Sequence, residues 1–198
     1  MEAPRDTRSE AYADRLQQLS GARWKRCFDV QRPYRWNLRR LALGRTLEIG
    51  CGIGRNLASL GPAAVGIDHN AHAVEIARSL GFRAFTRDAF LASPDAAQSF
   101  DALLFAHVLE HMTRADASRL VSQWLPHLRP GGKLLLITPQ EAGFRSDPSH
   151  VEFLDFAALL GILADAGCAP LRAYSFPFPR FAGRVFPYNE FVALGQRT

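Results

Sequence analysis

The most chemically suggestive spacing in the chain is the run 47–56, LEIGCGIGRN. Gly50, Gly52 and Gly54 alternate there, and an acid, Glu48, stands two residues before the first of them. Glycines let a chain turn tightly and bring backbone N–H groups against a ligand. Between a strand and a helix, such a loop places a nucleotide-type ligand at the carboxyl end of the strand. The dinucleotide fingerprint needs a third small residue, and the two registers put Arg55 or Leu57 there, so neither fits. No phosphate loop of the G-x-x-x-x-G-K-[ST] type is present. The Glu48 carboxylate would repel a pyrophosphate and suits a cationic ligand.

A second set of residues that could do chemistry follows later: His107, Glu110 and His111, then Asp147 and His150. Asp147 and His150 are three apart, and Glu110 could join them. That trio would suit Mg²⁺, or another divalent ion, held against a diol. A soft Zn²⁺ site is not expected, because no paired Cys or His ligands are evident.

Short apolar runs alternating with helical ones must position these residues. Strands are expected at 46–49, 64–67, 83–86, 102–106 and 133–138, with helices at 56–60, 71–80 and 113–128 between them. Asn70 is placed to cap the second helix and Thr113 the third. The Gly-Gly pair at 131–132 should end the third helix before the next strand. A further helix fits 155–166, with Gly167 as its C-cap. Final strands are expected near 172–176 and 190–194, joined by a proline-rich loop. This alternation implies βαβ units and a parallel sheet buried on both faces. Ahead of it, helices are expected at 10–20 and from 24 to about 41, the latter interrupted near Pro33.

Five motifs arrive in the order found in class I S-adenosylmethionine (SAM) dependent methyltransferases, which the chain resembles from about residue 45 to 138, in the manner of a methyltransferase type 11-like domain. They are LEIGCGIG, VGIDHN, TRDAF, FDALLFAHVLEHM and LRPGGKLLLITP. The resemblance implies a Rossmann-like α/β fold with a seven-stranded, mostly parallel sheet whose last strand is antiparallel. It implies a domain over 44–198 and an N-terminal helical lid over 1–43. It also implies SAM as cofactor. Asp68 would take the ribose hydroxyls and Asp88 the adenine amino group. Glu48, Gly50, Cys51, Gly52, Gly54, His69, Ala89 and His107 would complete the cofactor contacts. Cys51 reads as a small filler, since the loop offers it no partner base.

Methyl transfer from a sulfonium is an in-line displacement in which the protein must align the acceptor and exclude water. An alcohol acceptor also needs a general base. His150 is expected in that role, with His111 and Glu110 as its partners. The segments TPQEAGFRSDPSHVEFLDF, YSFPFPR and YNEF resemble actinobacterial sugar O-methyltransferases of the methylmannose polysaccharide type. That resemblance implies a saccharide hydroxyl as acceptor, a mannoside among them, bound by Trp24, Tyr34, Arg39, Phe144 and Asp147. Phe178 would also stack on a sugar face. A quinone or phenol acceptor is the alternative, and a SAM-binding protein without transfer activity a further one.

Composition sets the outer limits. The chain has 198 residues, 47 % of them apolar and 22 % charged, which is one domain's worth of ordinary globular sequence. Its net charge of +5 is smaller than the excess of bases between Gly21 and Arg45, where eight bases face the single acid Asp29. The remainder is therefore slightly acidic. Arg–aromatic interleaving in that segment could bind RNA, yet no nucleic-acid module accompanies it, and no nucleic-acid partner is expected. The Asn/Asp-Pro-Pro-Tyr motif of amino methylation is missing too. Three scattered cysteines indicate neither disulfides nor a zinc knuckle. With neither a signal peptide nor a membrane span expected, a cytoplasmic protein acting on a small-molecule or oligosaccharide acceptor is anticipated. A homodimer is left open.

Overall fold

A computed structural model describes residues 31–198. The expected helix at 10–20, and Trp24 with the start of the next, lie outside the described residues. Those described fall into two compact units, 31–96 and 97–198. Together they supply the seven strands of a mixed sheet flanked by helices, with the last strand antiparallel.

In the first unit, helix α1 (Arg32–Arg40) carries Pro33 in its first turn, where a missing N–H costs nothing. Strands β1 (Thr46–Ile49), β2 (Val65–Ile67) and β3 (Ala84–Phe85) run parallel in the order β3-β2-β1. Helix α2 (Leu57–Leu60) follows β1, and α3 (Ala71–Ser79) follows β2. Asn70 caps α3 as expected, its side chain accepting from Ala73 N–H at 3.1 Å. The third strand is shorter than the sequence suggests. Thr86 leaves it to cap α4 (Arg87–Leu91), accepting from Ala89 N–H. Asp95, 5 % exposed, accepts from Arg83 at 2.6 Å and Arg45 at 3.0 Å, and so ties two strand ends to the turn at Pro94–Ala97.

In the second unit, β4 (Phe100–Ala106) pairs in parallel with β5 (Leu128–Pro139). Leu103, Leu104, Phe105, Leu134, Leu135 and Leu136 are wholly buried along them, as befits strands covered on both faces. Strand β7 (Glu190–Arg197) lies antiparallel between β5 and β6 (Cys168–Phe176). Two expectations shift here. Helix α5 (Arg114–Trp124), capped by Thr113, stops short of 128 because Pro126 converts its end to a 3-10 turn. The Gly131–Gly132 pair lies inside β5, where a register shift opposite Phe100 and Ala102 absorbs the extra residues. Pro170 likewise sits at a register shift of β6, the outermost strand, where a missing donor is tolerated. Two further helices complete the unit. One, α6 (Glu141–Ser146), is unforeseen. The other, α7 (Phe156–Asp165), is capped by Asp155 and ended by Gly167 at φ +65°. None of the described helices is long and apolar enough to cross a membrane.

Candidate active site

Around the glycine run, the first unit forms a loop fixed from within. Gly50 and Gly52 have φ values of +78° and +51°, which a side chain would strain. Gly54 is at +87°, and a Cβ there would come within 2.5 Å of the Phe82 ring. Asp68 follows the end of β2 and bridges the loop to the next helix. Its Oδ2 accepts from Gly52 N–H at 2.7 Å, and its Oδ1 from Asn70 N–H at 2.8 Å. Each oxygen keeps a lone pair for another donor. His69 lies 3.7 Å from Asp68 and is exposed.

Glu48 is almost fully buried. Its Oε1 accepts from Asn56 Nδ2 at 2.7 Å, while its Oε2 has no partner. Burial pushes its pKa from 4.5 to about 8, and the nearby Asp68 adds to the rise, against the lowering effect of Asn56. At neutral pH this acid therefore carries its proton until a cation is brought to it. The charged form assumed in the sequence reading is the form that a cationic ligand would draw out. Cys51 is buried against Gly66, whose missing Cβ makes room for its sulfur. Burial raises the thiol well above its usual range, which leaves it a filler and not a nucleophile. Asp88 and Ala89 sit exposed in the first turn of α4.

The second unit gathers the histidines. His107 ends β4 in a left-handed conformation, φ +58°. Its Nε2 donates to Glu190 Oε1 at 2.8 Å, and its Nδ1 lies 3.3 Å from Glu110 Oε1. Desolvation works against the imidazolium, but hydrogen bonding to Glu110 and Glu190 and their charge outweigh it, lifting the pKa to about 10. His107 is thus a fixed cation between two acids. Glu110 is wholly buried in the short turn Leu109–His111, with its Oε1 facing His107 Nδ1 and its Oε2 without a hydrogen-bond partner.

Backbone bonds hold the segment after β5 against that turn. Val151 N–H and Glu152 N–H donate to Glu110 O at 2.7 and 3.3 Å, and Thr138 Oγ1 donates to Leu154 O. His150 then lies with its ring 4.9 Å from that of His111. His150 Nδ1 donates to Phe144 O at 2.8 Å, so its Nε2 keeps the lone pair in the neutral ring. The Phe144 ring stacks on it at 5.3 Å. His111 Nδ1 is 3.2 Å from both the carbonyl and the hydroxyl oxygen of Ser149.

Donor atoms of Glu110, His111 and His150 all lie within 4.8 Å of one another. This group differs in one member from the candidate metal trio of Glu110, Asp147 and His150. Asp147 accepts from the Ser149 amide and hydroxyl at 3.0 and 2.7 Å, and its place in the group is taken by His111. The expectation that paired histidines are lacking falls with it. The two rings stand 39 positions apart in the chain, and the fold brings them together as the expected partnership of His150 with His111 requires.

Of the expected acceptor contacts, Phe144 and Asp147 are in this second unit. Tyr34 and Arg39 belong to α1 in the first, and Phe178 is half-exposed in the loop after β6. Sequence reading missed Glu190, the second acid on His107. It also missed the Gln140–Asn189–Ser175 network. Gln140 donates to Ser175 Oγ at 2.7 Å and to Glu190 O at 2.9 Å, and Asn189 donates back to Gln140 at 3.0 Å. No local spacing announces partners 35 to 50 residues apart.

Residues 47–134 match the family model of a methyltransferase domain. A ubiquinone biosynthesis O-methyltransferase of Chelativorans sp. is 34 % identical over 105 residues, 48 % of this chain and 40 % of its own length. A probable S-adenosylmethionine-dependent methyltransferase of Mycolicibacterium smegmatis is 32 % identical over 133 residues, 61 % of this chain and 50 % of its own. The chain thus spans half or less of the length of these curated relatives. Magnesium protoporphyrin IX methyltransferase from Synechocystis, solved with bound SAH, superposes with a TM-score of 0.69 at 16 % identity, covering 98 % of both chains, and shows the same fold. Residues 47–134 thus make a methyltransferase domain, on the fold of the SAM-dependent methyltransferases.

Proposed function

We propose that the chain, working from that domain, moves the methyl group of SAM to a hydroxyl oxygen of a small acceptor with adjacent hydroxyls. The glycine loop, with Gly50, Cys51, Gly52 and Gly54, takes the cofactor. Asp68 spends its two remaining lone pairs on the ribose hydroxyls, and Asp88 meets the adenine amino group, with His69 and Ala89 beside them. Glu48 gives up its proton to face the cationic methionine end.

On the acceptor side, His150 Nε2 removes the hydroxyl proton. The oxygen attacks the sulfonium methyl, a C–O bond forms, and the C–S bond breaks with its electron pair left on sulfur. The products are the methyl ether, S-adenosylhomocysteine and a proton, first held on His150 and then passed to solvent. The observation that carries this reading is the Nδ1 bond from His150 to Phe144 O, which leaves Nε2 with the lone pair of the neutral ring.

Adjacent hydroxyls are offered both by a saccharide and by a dihydroxylated aromatic ring. The motifs in residues 138–156 support the first source, and the name of the Chelativorans relative supports the second. Incubation with methyl-labelled SAM and a panel of mannosides, other saccharides and catechols tests both. Label transfer to one arm identifies the acceptor class. SAM binding without transfer to any hydroxyl compound would overturn the enzymatic reading.

A further inference from the structure

The carboxylate of Glu110 is the strangest group in the second unit. A wholly buried acid normally accepts several hydrogen bonds, because an unpaired charge away from water is costly. Its Oε1 faces the His107 imidazolium at 3.3 Å, but its Oε2 is buried without a hydrogen-bond partner. Among the described residues Oε2 has capacity to spare for a further partner.

The two neighbouring rings are arranged for the same purpose. His150 donates its Nδ1 proton to Phe144 O. His111 has its Nδ1 against Ser149, whose hydroxyl donates to Asp147 Oδ1 and so is left as an acceptor. Each ring is thereby held in the tautomer that presents Nε2 as a lone pair. An imidazole steadied by a carbonyl or carboxylate at one nitrogen, and free at the other, is the usual setting of a metal ligand. The chain Asp147–Ser149–His111 gives Asp147 a supporting place behind a ligand.

We infer that Glu110, His111 and His150 form a binding site for one divalent first-row transition metal ion, of the iron, manganese, cobalt or zinc type, with coordination positions open to the acceptor's adjacent hydroxyl oxygens. Two imidazoles and one carboxylate favour such ions, whereas Mg²⁺ prefers an all-oxygen shell. This replaces Mg²⁺ as the expected ion. The inference deepens the proposed reaction and rests on it only for the identity of the acceptor. Bound to the ion, a hydroxyl becomes more acidic and can release its proton to solvent. His150 then serves as a ligand in place of the base's role proposed above, and methyl transfer in the presence of EDTA distinguishes the two.

Co²⁺ is the probe, since its visible absorption reports coordination geometry directly. The untagged chain, stripped with EDTA, is titrated with Co²⁺ alone and followed by absorption and calorimetry. One ion per chain is expected, displaced by Zn²⁺ but not by Mg²⁺ at equal concentration. Glu110→Gln and His111→Ala should each weaken Co²⁺ binding more than about 100-fold, and Asp147→Asn about 10-fold, the usual scale for an outer support. SAM affinity and the thermal midpoint of each variant confirm that it folds. Absence of a Co²⁺ spectrum in the folded wild-type chain would overturn the site. So would binding unchanged by Glu110→Gln and His111→Ala. Methyl transfer that persists in EDTA leaves the enzymatic reading standing and rejects the metal. Co²⁺ binding without transfer to any hydroxyl acceptor keeps the metal and rejects the transfer.

Discussion

Two buried carboxylates, one in each unit, are treated in opposite ways. Asp68 in the first unit has a backbone N–H on each oxygen, and those bonds shape the loop that carries it. Glu110 in the second has no backbone N–H on its carboxylate, leaves its Oε2 without a hydrogen-bond partner and stands among three imidazoles. The first acid spends its bonds on its own backbone and so makes a rigid, general recognition loop. The second is held by packing and backbone bonds around it, with its own bonding capacity kept in reserve. A recognition element can be encoded locally, while a reactive one has to be assembled from distant parts of the chain and kept short of partners.

If that division is right, damage to one unit should leave the other's readout alone. His150→Ala should have the largest effect. Turnover should fall by about 10²–10⁴-fold, the scale on which a group that handles the acceptor's proton matters, whether His150 takes that proton or holds an ion that acidifies the hydroxyl, while SAM affinity measured by calorimetry stays put. Weakened SAM binding would break the division. Asp68→Ala comes next, leaving the Gly52 and Asn70 amides unpaired. SAM should bind about 100-fold more weakly, and an unchanged dissociation constant would undo the ribose assignment.

Gly54→Ala asks whether the loop is as rigid as its geometry implies. A Cβ at φ +87° and 2.5 Å from Phe82 should cost about 2–4 kcal/mol of stability in urea denaturation. A near-wild-type midpoint would mean that the loop gives way. The subtlest effect belongs to Glu48, whose pKa is raised to about 8 by burial. Between pH 5 and 8 the folded chain holds a proton that the unfolded chain has released, so raising the pH favours unfolding. The ligand-free protein should lose stability across that window, by at most about 1.4 kcal/mol per pH unit. Glu48→Gln should remove that part of the slope, and SAM should oppose it by drawing out the carboxylate. An identical pH profile for the variant would show that Glu48 ionises normally.

The same contrast explains what could be read from the sequence. Within the first unit, the glycine run, Asp68 at a strand end and the Asn70 cap all depend on neighbours a few positions away, and spacing reveals such neighbours. The five motifs carried the fold for the same reason, and the mixed seven-stranded sheet is what they implied. Strand ends were less legible. Thr86 prefers to cap a helix over extending β3, and a bulge carries β5 through Gly131 and Gly132 where glycines suggested a stop. In the second unit the acid and both histidines were visible and were expected to work together, but the supports behind them were not. His111 reaches Ser149 across 38 positions and His107 reaches Glu190 across 83. Asp147, closer in sequence to His150, was the natural choice of ligand, and the fold turns it toward Ser149.

The double grip of Asp68 on Gly52 and Asn70 also bears on kinetics. A loop already fastened by bonds internal to the protein has little left to order when a nucleoside arrives. Its association should run at the pace of an encounter between rigid partners, without a slow adjusting phase. Related ligands that share the nucleoside, such as SAM and its demethylated product, should then arrive at similar speeds. They should differ in residence time, so that turnover under saturating donor would be governed by how long the spent cofactor lingers.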